Sequence, residues 1–94
     1  MSNKPAHKIT DGVLRVTIWR NTGDKGTWYS VVPARGYKPE DGDWQETDSL
    51  NGDDCLPMAE LIREAYAWIK VQRRAEAKAR RDAEKAKELE QAAA

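Results

Sequence analysis

A change of composition at Val71 constrains this chain more than any motif does. Before it, apolar and aromatic residues recur throughout. From Gln72 to Ala94 the only large apolar side chain is Leu89, set among Ala, Lys, Arg, Glu, Asp and Gln. A helix with no apolar face has nothing to bury, so it stays in solvent or meets a charged partner. The chain therefore divides into a polar, flexible leader over 1–8, a folded β-β-β-α unit over 9–71 and a charged helical tail over 72–94. One domain fits 94 residues. The core draws on roughly sixty of them, and domains that small bury only about 60% of the surface their unfolded chain exposes. Self-association into a homodimer is a natural remedy.

Lysines and arginines number 16, as do aspartates and glutamates. The balance hides an uneven layout. Seven acids and no base lie between Glu40 and Asp54, whereas seven bases and two acids lie between Arg63 and Arg81. Local fields of this kind decide partners; the total does not. Cys55 is the single cysteine, which excludes an intramolecular disulfide and fits a reducing cytosol. Met1–Lys8 lacks the apolar segment of a secretory signal. No apolar run approaches the roughly 18 residues of a membrane span. A soluble, cytoplasmic protein without a membrane partner is expected.

Val13–Arg20 alternates, with Leu14, Val16 and Ile18 on one face and Arg15, Thr17 and Trp19 on the other. β-branched residues at period two make a strand. Asn21–Lys25 and Gly26 supply turn chemistry, and Thr27–Val32 resumes the β composition, so a hairpin is expected. Pro33 cannot donate to a ladder and marks an edge or a bulge. Arg35, Tyr37 and Lys38 extend the strand past it. Pro39–Asp43 is a second turn, and Trp44–Leu50 gives a third strand. A fourth strand in the Ile9–Asp11 region is an alternative.

Asn51–Asp54 is a helix-start signal, with Asp54 as the cap residue and Pro57 at the third helical position, where its missing N–H does no harm. Met58, Leu61, Ile62, Ala65, Trp68 and Ile69 then recur at helical spacing. No Gly or Pro follows Met58, so the helix continues into the tail. The expected fold class is α+β: a three-stranded (alternatively four-stranded) antiparallel sheet packed by one long C-terminal helix that extends as a charged, solvent-exposed tail.

No catalytic constellation is present, and the chain is not expected to be an enzyme. His7 stands alone in the leader. At Cys55 the helix start favours a thiolate, while Asp53 and Asp54 oppose it. One cysteine and one histidine do not make a zinc site, and the acids of Glu40–Asp54 lack EF-hand spacing. Gly23 and Gly26 punctuate a turn and do not form a phosphate loop. No cofactor and no metal are expected.

Two features point to a partner. The first is the second face of the sheet. Arg15, Thr17 and Trp19 point away from the helix, with Gln45, Thr47 and Ser49 as candidates to join them. Register decides whether Trp28 and Ser30, or Tyr29, Val31 and Arg35, share that face. Aromatic rings beside arginines on an antiparallel sheet form a platform on which unpaired bases stack, each worth about 1–3 kcal/mol. The alternative is that Trp19, Trp28 and Trp44 fill a small core or a dimer seam. The second feature is the helix. At about 100° per residue, Arg63, Lys70, Arg74, Lys78, Arg81 and Lys85 fall in one stripe away from the core face. That stripe suits phosphates, the acidic segment of a second copy, or solvent alone.

The segments IWRN (Ile18–Asn21), GTWYSV (Gly26–Val31) and RGYK (Arg35–Lys38), the DD-x-L-x-M-A run from Asp53 and the AYAWI stretch ending at Ile69 resemble a family of small, mostly uncharacterised proteins of bacteria, phages and mobile elements. In architecture, strands followed by one C-terminal helix, the chain is similar to the single-stranded-DNA-binding coactivator and Whirly folds. Those proteins dimerise through the helix and bind strands with the sheet. The expectation is a non-enzymatic protein that binds single-stranded DNA or RNA. Arg15, Trp19, Tyr29, Arg35 and Tyr37 would stack bases and hold phosphates, while Lys70, Arg74, Lys78 and Arg81 add salt-sensitive affinity. The alternative is a protein–protein interaction module, an accessory or inhibitor protein of a phage or mobile element.

Overall fold

A computed structural model describes residues 4–93. Four strands form one antiparallel sheet in sequence order: β1 (His7–Asp11), β2 (Leu14–Gly23), β3 (Gly26–Tyr37) and β4 (Gln45–Thr47). A single 3-10 turn (Gly52–Asp54) leads into one helix, α1 (Cys55–Ala93). The arrangement is α+β with one helix on one face of an open sheet. No helix is long and apolar enough to cross a membrane among the described residues.

The expected alternation holds in β2. Leu14, Val16 and Ile18 are buried beneath α1 and form the core with Met58, Leu61 and Ala65; Ile9, Tyr29, Trp68 and Ile69 pack around it. The fourth strand is present and begins at His7, so residues 7 and 8 belong to the sheet and not to the leader. The rest of the leader expectation falls partly on residues 1–3, outside the described residues. His7 pairs with Ile18 and stacks on Trp68, ring centroids 4.8 Å apart and 6° from parallel. The β1–β2 turn places Gly12 at φ +60°, a first turn position that favours glycine because a Cβ is strained there.

Pro33 lies inside β3 opposite Val16. Counting pairs back from the Gly23–Gly26 turn, its missing N–H points away from β2. On that side β4 pairs only with Arg35–Tyr37, so no ladder bond is lost. β4 is three residues long, shorter than the seven of Trp44–Leu50, because Asp48 onward already turns toward the helix.

The helix start also differs from expectation. Asn51 precedes the 3-10 turn as the cap residue, and its N–H donates to Asp54 Oδ2 at 2.9 Å. Pro57 is the third residue of α1, where no intrahelical donor is needed. The helix runs unbroken through Val71. Its 39 residues span about 58 Å, and the molecule measures 71 × 31 × 19 Å.

Candidate nucleic-acid interface

Directly paired residues of neighbouring strands share a face. The pairs Leu14–Arg35, Val16–Pro33, Ile18–Val31 and Arg20–Tyr29 therefore lie on the helix side. Arg15–Ala34, Thr17–Val32, Trp19–Ser30 and Asn21–Trp28 lie on the uncovered side. Lys8, opposite Thr17, and Thr10, opposite Arg15, join them from β1; Glu46, opposite Gly36, joins from β4.

Three tryptophans occupy that uncovered side. Trp19 is half-buried near its middle. Trp28 is 55% exposed and Trp44 63%, and each rests against a glycine. A Cβ on Gly23 would stand 3.3 Å from the Trp28 ring, and one on Gly36 would stand 3.7 Å from the Trp44 ring. The glycines leave room for the rings to lie against the sheet. From Trp28 to Gly36 the row spans eight steps of β3, about 26 Å at strand rise. Polar groups fill the spaces between. Asn21 Nδ2 donates to Ser30 Oγ at 2.9 Å, and Arg15 forms an ion pair with Glu46. A cleft of about 740 Å³ opens at the Trp44 end, lined by Lys8, Val13, Arg15, Trp44 and Glu46 among others.

This register corrects several expectations. Arg15 and Trp19 lie on the open face as expected. Tyr29 and Arg35 do not: both face the helix side and are already engaged. Arg35 Nε donates to Asp54 Oδ2 at 2.7 Å, tying β3 to the helix start. Gln45 and Thr47, opposite Tyr37 and Arg35, also sit on the helix side, and Glu46 takes their place. Tyr37 is exposed at the sheet margin, in register with Arg35 and so off the tryptophan face. Trp28 replaces Tyr29 as the β3 ring beside Trp19. The size of the turn carries that signal. A two-residue loop, Asp24–Lys25, between Gly23 and Gly26 sets every pairing that follows.

On the helix, Lys70 Nζ stands 5.3 Å from the Tyr66 ring centroid, a cation–π contact. Arg74, Lys78 and Arg81 are exposed, opposite the core face. The basic stripe therefore exists, but on the far side of α1 from the tryptophans.

The folded unit extends past the expected boundary at Val71. Glu76 Oε1 accepts from Arg20 Nε at 2.7 Å and from Tyr29 Oη at 2.8 Å, clasping the helix to β2 and β3. The Arg20 and Tyr29 hydrogen bonds hold the Glu76 carboxyl below its ordinary value of 4.5. Burial, and then the Glu76 carboxylate, push the Tyr29 hydroxyl above its ordinary 10.0. The Glu76 contribution is complete above its ordinary value and is lost as pH falls through the depressed one. The Tyr29 contribution is complete below its ordinary value and is lost as pH rises through the raised one. Glu76→Gln should therefore lower the thermal midpoint at neutral pH by a few degrees, and the difference from wild type should shrink as pH falls through the depressed value. A difference that persists unchanged in acid would show that the clasp is not ionic.

No protein-family model, curated protein or solved structure matches the chain.

Proposed function

We propose that this protein is a non-enzymatic binder of single-stranded nucleic acid, with the uncovered sheet face as its platform. The observation that carries this is the row of Trp19, Trp28 and Trp44 on a face without a helix, two of the rings more than half exposed. Rings of this size left in water cost free energy unless a ligand covers them. A π-face accepts any base, so such a platform is tolerant of sequence. Lys8 and Arg15 stand within the row for phosphates, with Arg15 shared with Glu46. The stripe of Lys70, Arg74, Lys78 and Arg81 adds long-range attraction, and affinity falls as salt rises. Anisotropy of labelled oligothymidylate and of a duplex, each at two salt concentrations, tests this. Single strands should bind and quench tryptophan fluorescence, with the duplex weaker. No binding at low salt and micromolar protein would end the proposal.

A homodimer or a protein partner has support of its own on the opposite side. Val31 and Pro33 are exposed beside the buried Ile18 and Val16, and Ile62 and Tyr66 on α1 are exposed as well. These exposed residues of β3 and α1 are apolar surface for a second copy to cover. A monomer by light scattering at tens of micromolar would remove that reading without touching the sheet face.

A further inference from the structure

A second cleft, of about 650 Å³, lies where the β2–β3 hairpin tip meets the middle of α1. Arg20, Lys25, Thr27, Arg73, Glu76 and Arg80 supply its polar lining, and Gly26 and Ala79 complete it without bulk. Four cationic side chains thus face one carboxylate. Residues 73, 76 and 80 share a flank of the helix through their spacing of three and four. That flank is adjacent to the basic stripe and distinct from it. The hairpin tip contributes Lys25 and the Thr27 hydroxyl, and Gly26 at φ +122° makes the backbone bend that only glycine takes without strain.

The single acid cannot neutralise this cleft. Glu76 Oε1 already receives Arg20 Nε and Tyr29 Oη. Among the described residues, Lys25, Arg73 and Arg80 have no carboxylate within ion-pair distance. Both bonds end on Oε1, and the clasp holds Arg20 at the cleft wall with no bond to its terminal nitrogens among the described residues. Cations gathered in a concave site concentrate the field and draw an anion. Guanidinium forks match phosphate oxygens in pairs, and the charge-assisted bonds they form are about twice as strong as neutral ones.

The geometry points to a phosphate-binding site in this cleft, formed by Arg20, Lys25, Arg73 and Arg80, that takes an anion carrying two or more phosphoryl groups. The open volume exceeds what one phosphate fills, and the cations come from two walls. A free condensed phosphate and the phosphodiester backbone of a nucleic acid present the same chemistry. The site rests on the cleft alone and stands whether or not the tryptophan face binds bases.

Calorimetric titration of the full chain at low salt tests it, with inorganic tripolyphosphate in one arm and an abasic deoxyribose-phosphate oligomer in the other. Arg73 and Arg80 are exposed, so R73Q/R80Q should fold; circular dichroism checks this. R81Q/K85Q removes the same charge from the neighbouring stripe. The cleft variant should weaken binding by about tenfold or more, and the stripe variant by no more than about twofold. Binding of the oligomer alone identifies a backbone as the source, and binding of tripolyphosphate identifies a free anion; either supports the site if R73Q/R80Q weakens it by that factor and R81Q/K85Q does not. Equal losses in the two variants would mean a diffuse helix charge and overturn the site, as would no binding in either arm. If tripolyphosphate binds while oligothymidylate does not, the sheet platform falls and the cleft stands.

Discussion

Ile18→Ala is expected to cost about 3 kcal/mol, within the usual range for truncating a buried isoleucine. Ile18 is fully buried at the middle of β2, with β1 paired on one side and β3 on the other. Backbone held by ladders on both sides cannot move to close a cavity, and the helix above is pinned near both ends of its contact with the sheet. The void therefore stays. Among the described residues the core has six buried apolar side chains, so one truncation removes a large share of it. Small domains sit at the lower end of about 5–15 kcal/mol of total stability. A loss of this size lowers the thermal midpoint by about 10–20 °C for a domain of this length. Leu56→Ala, at a position 80% exposed, should shift stability by less than about 0.5 kcal/mol. Urea denaturation of both variants checks the pair. A loss below about 1 kcal/mol for Ile18→Ala would place the core elsewhere.

The second large effect concerns binding. Trp19→Ala with Trp28→Ala should weaken single-strand affinity by about 30-fold or more, since each stacked base is worth about 1–3 kcal/mol. Both rings lie on the uncovered face, and Trp28 is more than half exposed, so most of the loss should be in binding and not in folding. Tyr29→Phe is the matched control. It removes a hydroxyl bonded to Glu76 on the helix side and should leave the affinity unchanged. Equal losses from the two variants would mean that the tryptophan face is not the platform.

How much of this is legible in the sequence depends on which force acts. Leu14, Val16 and Ile18 read as a half-buried strand because burial on one side writes period two into the residues. Met58, Leu61 and Ala65 read as a helix face for the same reason at period 3.6. β1 is harder to see. Ile9 is its one apolar residue, and His7 gains its place by stacking on Trp68, a contact between elements about sixty residues apart that no local pattern records. Its best signal is Gly12, a glycine suited to the first position of a two-residue hairpin loop. The open face is the larger lesson. Trp28 and Tyr29 are neighbours with similar chemistry, and alternation sends one to each side without saying which. Turn size decides it, and Asn21–Gly26 holds enough turn-forming residues for several loops. Glu76 reads as one acid of a solvated helix, and only folding brings Arg20 and Tyr29 to it.

The helix is fastened at two points: Asp54 to Arg35 at its start, and Glu76 to Arg20 and Tyr29 farther along. Two fasteners on one rod fix its rotational phase as well as its position. Everything beyond Glu76 therefore emerges at a set azimuth, like lettering on a bolt tightened to a stop. Adding one residue between the fasteners would turn the outer segment by about 100° and aim its charges in a new direction.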